Sequence, residues 1–304
     1  MTPAGAARPP RIPLLARITT PDGARLTVRA LSRQEPQAPV VVLLPAMGMS
    51  ARNYTPLARA LHAQGLTVVT TDLRGHGESL PRPRRGVRFG YREIVEQDIG
   101  AVLREVRAAF PEAPRLLLGH SLGGQLGLVH CGVFQPPVAG MVLVASGSAW
   151  YRCFGPLEGV RRLLLGQLYA VGATVLGHWP GERLGFAGRE SARLIRDWAR
   201  QVRTGRYRVR GGCADYERML RTVRMPVLAV DVEGDDLAPP RAVDHLCAKT
   251  PHADVVRWSL TRAGASGKPL DHFRWIRHHT GLVERIAAWA FRVTGADAAD
   301  TACR

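Results

Sequence analysis

The chain has 304 residues, of which 46% are hydrophobic and 22% charged, a composition typical of a globular protein with a sizeable core. Its formal net charge is +17, but 40 of its 42 basic residues are arginines, which are scattered and accompany no nucleic-acid motif. We therefore expect no nucleic-acid partner and attribute the basic surface to compositional bias, in preference to an acidic partner or an anionic membrane surface.

The N-terminus has no apolar region after a basic start, and no stretch of the chain is long and apolar enough to form a transmembrane segment, so we expect a cytoplasmic protein.

The first half of the chain alternates short apolar runs with amphipathic segments. The run PVVVLLP, residues 39–45, is continuously apolar, as expected of a strand buried on both faces. The other predicted elements are a hairpin over 17–31, a helix over 54–65, a strand over 66–72 and a helix over 91–110.

The second half repeats this alternation. A strand, RLLLG, leads directly into a helix, SLGGQLGLVHCGVF. The remaining predicted elements are strands over 138–146, 225–232 and 253–260, a helix near 240–249 and a last helix near 273–293. Strands that alternate with helices predict a parallel α/β sheet with helices on its faces.

Residues 147–224 interrupt the alternation. This segment is rich in Trp, Tyr, Gly and Arg and contains no clear strand, so it is predicted to be a helical insertion between two core strands. It could be extra packing or a cap over a functional site, and the motifs described below favour the cap. The predicted organisation is therefore a core of residues 15–146 and 225–293, a cap of residues 147–224, and flexible termini of residues 1–14 and 294–304.

A serine lies between two glycines at the junction of a predicted strand and helix. Gly119, Ser121 and Gly123 fit the pattern G-x-S-x-G, in which a nucleophile occupies a sharp turn that lifts its hydroxyl out of the sheet. Larger side chains at the flanking positions would collide with neighbouring backbone. The start of the following helix adds a positive potential for a developing anion. The pattern predicts that Ser121 is a nucleophile.

A serine nucleophile needs a base and an acid, which follow it in chain order in this arrangement. Of the later histidines, only His272 is expected between the last strand and the last helix, at the correct edge of the sheet. His245 falls within a helix, His252 precedes its strand, and His278 and His279 are predicted to be surface residues of the last helix. The acid is predicted to be Asp235, with Asp236 as the alternative. Asp231 lies within a strand and is interpreted as structural.

Four motifs in this order resemble the α/β-hydrolase superfamily, in particular bacterial hydrolases related to monoacylglycerol lipases and serine aminopeptidases. They are TDLRGHGES (71–79), GHSLGG (119–124), EGDDLAPP (233–240) and DHF (271–273). The resemblance covers about residues 15–147 and 224–293. It implies an α/β-hydrolase fold, with a mostly parallel eight-stranded sheet flanked by helices. His76 is interpreted as a loop-stabilising residue, and His120 as typical of the family and not a second base.

The loop after the third strand departs from the pattern of many relatives. They carry His-Gly where this chain has Pro45 and Ala46. The resemblance implies an oxyanion hole built from the backbone N–H of Leu122 and one N–H of this loop, for which we choose Met47.

The leading functional prediction is hydrolysis of a carboxylic ester, thioester or amide through an acyl-enzyme on Ser121. The expected substrate is a small molecule, an apolar acyl ester. Acyl transfer or cyclisation would use the same triad, and a non-catalytic scaffold that binds a ligand or partner is a third interpretation. The five cysteines show no C-x-x-C spacing and no metal-ligand cluster accompanies them, so no metal or cofactor is expected.

Overall fold

An eight-stranded sheet organises residues 10–296, which are the residues that the computed structural model describes. Its strands are β1 (Leu14–Thr19), β2 (Arg25–Leu31), β3 (Val40–Leu44), β4 (Thr67–Thr71), β5 (Arg115–His120), β6 (Gly140–Val144), β9 (Val227–Val232) and β10 (Val255–Leu260), while β7 (His178–Pro180) and β8 (Arg189–Ser191) form a separate antiparallel pair. The strand order is β1-β2-β4-β3-β5-β6-β9-β10, antiparallel at β1/β2 and β2/β4 and parallel elsewhere. The predicted mostly parallel eight-stranded sheet is confirmed.

Helices of very different length connect and flank these strands. They are α1 (Thr55–Ala63), α2 (Tyr91–Glu93), α3 (Ile99–Ala109), α4 (Leu122–Phe134), α5 (Pro156–Leu176), α6 (Gly181–Leu184), α7 (Ala192–Thr204), α8 (Tyr216–Met219), α9 (Pro240–Cys247) and α10 (Thr280–Thr294). A π-helical segment, Ile94–Asp98, joins α2 to α3, so the helix predicted over 91–110 is continuous. Within residues 10–296, no helix is long and apolar enough to cross a membrane.

Both faces of the central strands are buried, which explains their continuous apolar runs. Along β3, Val40, Val42 and Leu44 belong to one core, together with side chains of α3 and α4. Val41 and Leu43, which point to the opposite face, belong to a second core with α1 and α10. Since side chains alternate along a strand, every position of such a strand meets a helix layer and none needs to be polar.

The segment between β6 and β9 contains α5, α6, α7, α8 and the hairpin of β7 and β8. The expectation of no strand in this segment is therefore wrong. Strand β7 has only three residues, too few to show the alternation of a strand in the sequence, and its partner strand, β8, comes after α6.

The two predicted flexible termini are described only in part, because residues 1–9 and 297–304 lie outside the described residues. Within the described part of each tail, Leu14 begins β1 and Thr294 ends α10.

The last helix begins later than predicted, at Thr280 instead of residue 273. The Asp271 carboxylate accepts hydrogen bonds from the N–H groups of Phe273 and Arg274, which closes a separate short turn before the helix. His278 and His279 consequently precede α10 and are half-buried, and their prediction as surface residues of this helix is wrong.

Candidate active site

Ser121 occupies a strained turn between β5 and α4. Its φ of 51° and ψ of −119° lie outside the regions that non-glycine residues usually adopt, and such strain persists only where surrounding structure enforces it. A Cβ on Gly119 would collide with the backbone of Gly124, and one on Gly123 with the carbonyl oxygens of Leu44 and Pro45. The two flanking glycines therefore let the turn pack directly against its neighbours.

His272 and Asp235 form a buried pair at the carboxyl edge of the sheet. The Nδ1 atom of His272 lies 2.8 Å from Oδ2 and 3.0 Å from Oδ1 of Asp235. The same carboxylate accepts hydrogen bonds from the N–H groups of Leu237 and Ala238, at 2.8 and 2.9 Å. These donors fix the position of the carboxylate. Because a carboxylate only accepts hydrogen bonds, Nδ1 of His272 donates to it, and Nε2 is the ring nitrogen without a proton. Trp275 Nε1 donates to the carbonyl oxygen of His272 at 2.9 Å and holds the loop.

The other two candidate acids make different contacts. Asp236 is exposed, and its backbone oxygen accepts a hydrogen bond from Arg162 at 2.9 Å. Asp231 lies in β9 and forms an ion pair with Arg257 at 3.0 Å. The structure therefore brings Asp235, and not the alternative Asp236, to the imidazole.

Most N–H groups of the loop after β3 are engaged. The Ala46 N–H donates to the Tyr54 hydroxyl at 2.9 Å, the Gly48 N–H to Glu190 at 3.1 Å, and the Met49 N–H to the Ala46 oxygen at 3.1 Å. Pro45 has no N–H. Among the described residues, the Met47 N–H is thus the one N–H group of residues 45–49 that makes no hydrogen bond. Met47 lines the same cavity as Ser121. Leu122 is the first residue of α4, where backbone N–H groups lack helical partners.

His120 is fully buried beside the candidate base. The Tyr54 hydroxyl, which accepts from Ala46, lies 2.7 Å from Nδ1 of His120 and donates its own proton there. Burial, together with the nearby His272, lowers the pKa of His120 well below its ordinary value, so the ring stays neutral. Its ring centroid is 4.9 Å from that of His272. His120 therefore supports the neighbouring imidazole as a packed, uncharged ring.

Sequence reasoning missed Glu190, a fully buried residue of β8. Its carboxylate accepts from the Gly48 N–H and lies 3.0 Å from Nε2 of His76. Burial disfavours a charged imidazole, but Glu190 and, to a lesser extent, Asp72 outweigh it, so the pKa of His76 is raised. Glu190 and Gly48 are 142 residues apart. No local pattern in the sequence could have revealed this contact.

A cavity of about 350 Å³ opens between the sheet edge and the segment between β6 and β9. Ser121, Met47 and His272 line it at the sheet edge. Apolar side chains of the inserted segment line the other side, and these are Phe154, Leu165, Tyr169, Leu184, Phe186, Trp198 and Val202. The cavity therefore has an apolar wall that faces the Ser121 hydroxyl and the His272 imidazole.

Comparison with known proteins gives a family match and several relatives. The family model described as serine aminopeptidase S33 matches residues 34–260. A monoacylglycerol lipase of Mycolicibacterium smegmatis is 33% identical over 112 residues, which cover 36% of this chain and 38% of that protein. The mouse phospholipase ABHD3 is 27% identical over 229 residues, which cover 69% of this chain and 54% of that protein. The chain thus spans only about half the length of these relatives, or less.

Two solved structures illustrate the likeness of fold. The mouse α/β-hydrolase domain-containing protein 10 has a TM-score of 0.60 at 16% identity, and covers 92% of this chain and 99% of its own. The esterase RhEst1 from Rhodococcus sp. ECU1013 has a TM-score of 0.55 at 20% identity, and covers 93% of this chain and 100% of its own. At this level of identity the likeness establishes the architecture alone.

Proposed function

The chain belongs to the serine aminopeptidase S33 family of α/β-hydrolases, and we propose that it is a serine hydrolase that cleaves a carboxylic ester through an acyl-enzyme on Ser121. The observation that carries the proposal is the buried pair of His272 and Asp235, which borders the cavity that Ser121 lines. A relative named monoacylglycerol lipase and another named phospholipase support an ester as the substrate.

In the proposed reaction, Nε2 of His272 accepts the Ser121 proton as the hydroxyl oxygen attacks the acyl carbon. Asp235 holds the imidazole through Nδ1 and stabilises the imidazolium that forms. The N–H groups of Leu122 and Met47 stabilise the oxyanion of the tetrahedral intermediate. The imidazolium then protonates the leaving alcohol, and a water molecule, activated by His272, releases the acyl group from Ser121.

We propose further that residues 147–224 act as a cap that selects the acyl group. Leu165 and Tyr169 of α5, Phe186, and Trp198 and Val202 of α7 line the cavity opposite Ser121. These apolar side chains favour an apolar acyl chain, because burying it removes hydrocarbon surface from water. Arg161 and Arg162 also line the cavity and would suit a polar or anionic end of the substrate.

Fluorophosphonate labelling followed by an ester panel tests the proposal. The wild-type protein should be labelled and should hydrolyse p-nitrophenyl esters, whereas Ser121→Ala should fold normally and show neither property. Assaying p-nitroanilides beside the esters separates ester from amide hydrolysis. If Ser121→Ala is labelled at the wild-type rate, or if the wild-type protein hydrolyses none of the panel, the proposal is wrong.

A further inference from the structure

Helix α5 turns its small residues inward and its large aliphatic residues outward. Gly159, Gly166 and Ala173 are buried, and Gly166 lies against Trp198 and Val202 of α7. The opposite side carries six aliphatic side chains that are 51–89% exposed. We call them the outer stripe, which consists of Leu157, Val160, Leu164, Leu168, Val171 and Val175. This inversion of the usual pattern marks a surface that is used for contact, since surface helices normally bury their aliphatic side.

The outer stripe is straight and free of charge over most of its length. Its residues repeat every 11 positions, with Leu157 and Leu168, Val160 and Val171, and Leu164 and Val175 as the related pairs. This spacing of 3.67 residues per turn keeps the stripe nearly parallel to the helix axis, whereas a left-handed helix pair needs a seven-residue repeat. Residues 163–176 contain no charged side chain. A straight apolar line of this kind suits a flat apolar surface.

The segment that carries the stripe is basic, and a basic loop lies at the end of α5. The segment of residues 147–224 contains 15 arginines and 6 acidic residues, a net charge of +9 out of the chain's +17. At the end of α5, the Arg85 guanidinium donates to the oxygen of Val175, and its side chain packs against Gly177. Arg85 belongs to an exposed basic loop, residues 82–88, with four arginines and no acidic residue. The basic loop at the end of the stripe therefore favours a negatively charged surface.

We propose that the outer stripe and the basic loop dock the protein onto an anionic phospholipid bilayer, with α5 lying in the plane of the interface. Apolar burial of the stripe and attraction between arginines and anionic headgroups are the two contributions that bind such helices. The ends of the chain outside the described residues do not fit as the occupant, because residues 1–9 and 297–304 contain no Leu, Ile, Val or aromatic residue. Leu184, Leu237 and Phe273, which are exposed and line the cavity, add apolar surface at its mouth.

Vesicle sedimentation tests the docking separately from catalysis when it is done with Ser121→Ala. This protein should bind vesicles that contain phosphatidylglycerol, and should bind pure phosphatidylcholine vesicles more weakly. Added salt should weaken only the first interaction, because it screens exposed charges. Leu164→Gln with Leu168→Gln should reduce binding by at least about tenfold, since two exposed leucines lose their apolar contact. The matched control is Leu14→Gln with Phe134→Gln, which removes exposed apolar side chains outside the cap.

A second pair of variants tests the charges. Arg84→Gln with Arg88→Gln should weaken binding to phosphatidylglycerol vesicles only, and Arg241→Gln with Arg292→Gln should leave it unchanged. Failure of the parent protein to bind anionic vesicles, or unchanged binding by the Leu164 and Leu168 variant, overturns the proposal. The proposal is also overturned if sedimentation velocity shows a dimer that the Leu164 and Leu168 substitutions dissociate, while neither the parent protein nor this variant binds vesicles. The stripe would then cover a second copy of the chain.

Discussion

The carboxylate of Glu190 accepts a hydrogen bond from the backbone N–H of Gly48 at 3.1 Å. Gly48 follows Met47, the proposed oxyanion donor, and Glu190 lies in the proposed cap. The same carboxylate lies 3.0 Å from His76 Nε2, in the loop after β4. One buried acid thus joins three segments that are remote in the sequence, and it ties the cap to the loop that is expected to stabilise the oxyanion.

Glu190→Gln should lower kcat by about tenfold and change KM little, because it loosens the loop that carries the Met47 amide. Loss of the charged acceptor should also cost about 1.5–3 kcal/mol of unfolding free energy. Steady-state kinetics and urea denaturation measure the two effects. Glu182→Gln, an exposed residue of the same segment that pairs with Arg189, is the control and should be silent. A wild-type kcat for Glu190→Gln would show that this contact does not position the loop.

The raised pKa of His76 predicts a pH-dependent contribution to stability. Because its folded pKa lies above the ordinary value of 6.5, the contribution is fully present below 6.5 and is lost as pH rises through the folded value. Urea denaturation of wild type and His76→Gln should therefore differ most at acid pH, and the difference should narrow as pH rises. His252→Gln, which alters an exposed histidine, should show no such trend. A difference that stays constant or widens with pH would contradict the assignment of a charged His76.

Asp235→Asn should reduce kcat by about 10⁴-fold, because the amide favours the wrong tautomer of His272 and cannot stabilise the imidazolium. Asp236→Asn should stay near wild type, since its side chain is exposed and its backbone oxygen makes the contact with Arg162. Turnover of one p-nitrophenyl ester by both variants measures the contrast. The assignment fails if the large loss occurs at position 236, or if both losses are small and equal.

Trp198→Ala should shift the preferred acyl chain length, because the Trp198 side chain lines the cavity and packs against Phe186. Trp150 and Trp179, two other tryptophans of the insertion, do not line this cavity. Trp150 packs against His245 and Gly205, so Trp150→Ala is a matched control. kcat/KM over a series of p-nitrophenyl esters checks the shift. Equal profiles for the two variants would remove Trp198 from the selection of substrate.

Gly123→Ala should destabilise the protein by about 1–3 kcal/mol and prevent fluorophosphonate labelling, because its Cβ would collide with the backbone oxygens of Leu44 and Pro45. Gly127→Ala in the same helix should cost much less. The added carbon there meets the end of the flexible Met141 side chain at 2.7 Å, and alanine favours helix formation. Urea midpoints and labelling rates of the two variants provide the comparison. If Gly123→Ala is labelled normally, the tight turn is not required.

The sequence by itself determined the parts of this protein that depend on neighbouring residues. Continuous apolar runs such as residues 39–45 predicted strands covered on both faces, and the spacing of Gly119, Ser121 and Gly123 predicted the turn between β5 and α4. The α/β-hydrolase fold was implied by the resemblance of four motifs, in their order along the chain, to that superfamily, and it is confirmed. The catalytic roles of Ser121, Asp235 and His272 and the cytoplasmic location remain predictions.

Only the tertiary structure decided the relationships that depend on direction and distance. Asp235 and Asp236 are adjacent and chemically identical, so the sequence left both open, while the path of the loop aims one at His272 and the other at solvent. Glu190 reaches Gly48 across 142 residues. The outward direction of the aliphatic side of α5 follows from the packing of α7 against Gly166. Periodicity along a chain tells which residues share a side of an element, but only the packing of that element against others tells which side is buried.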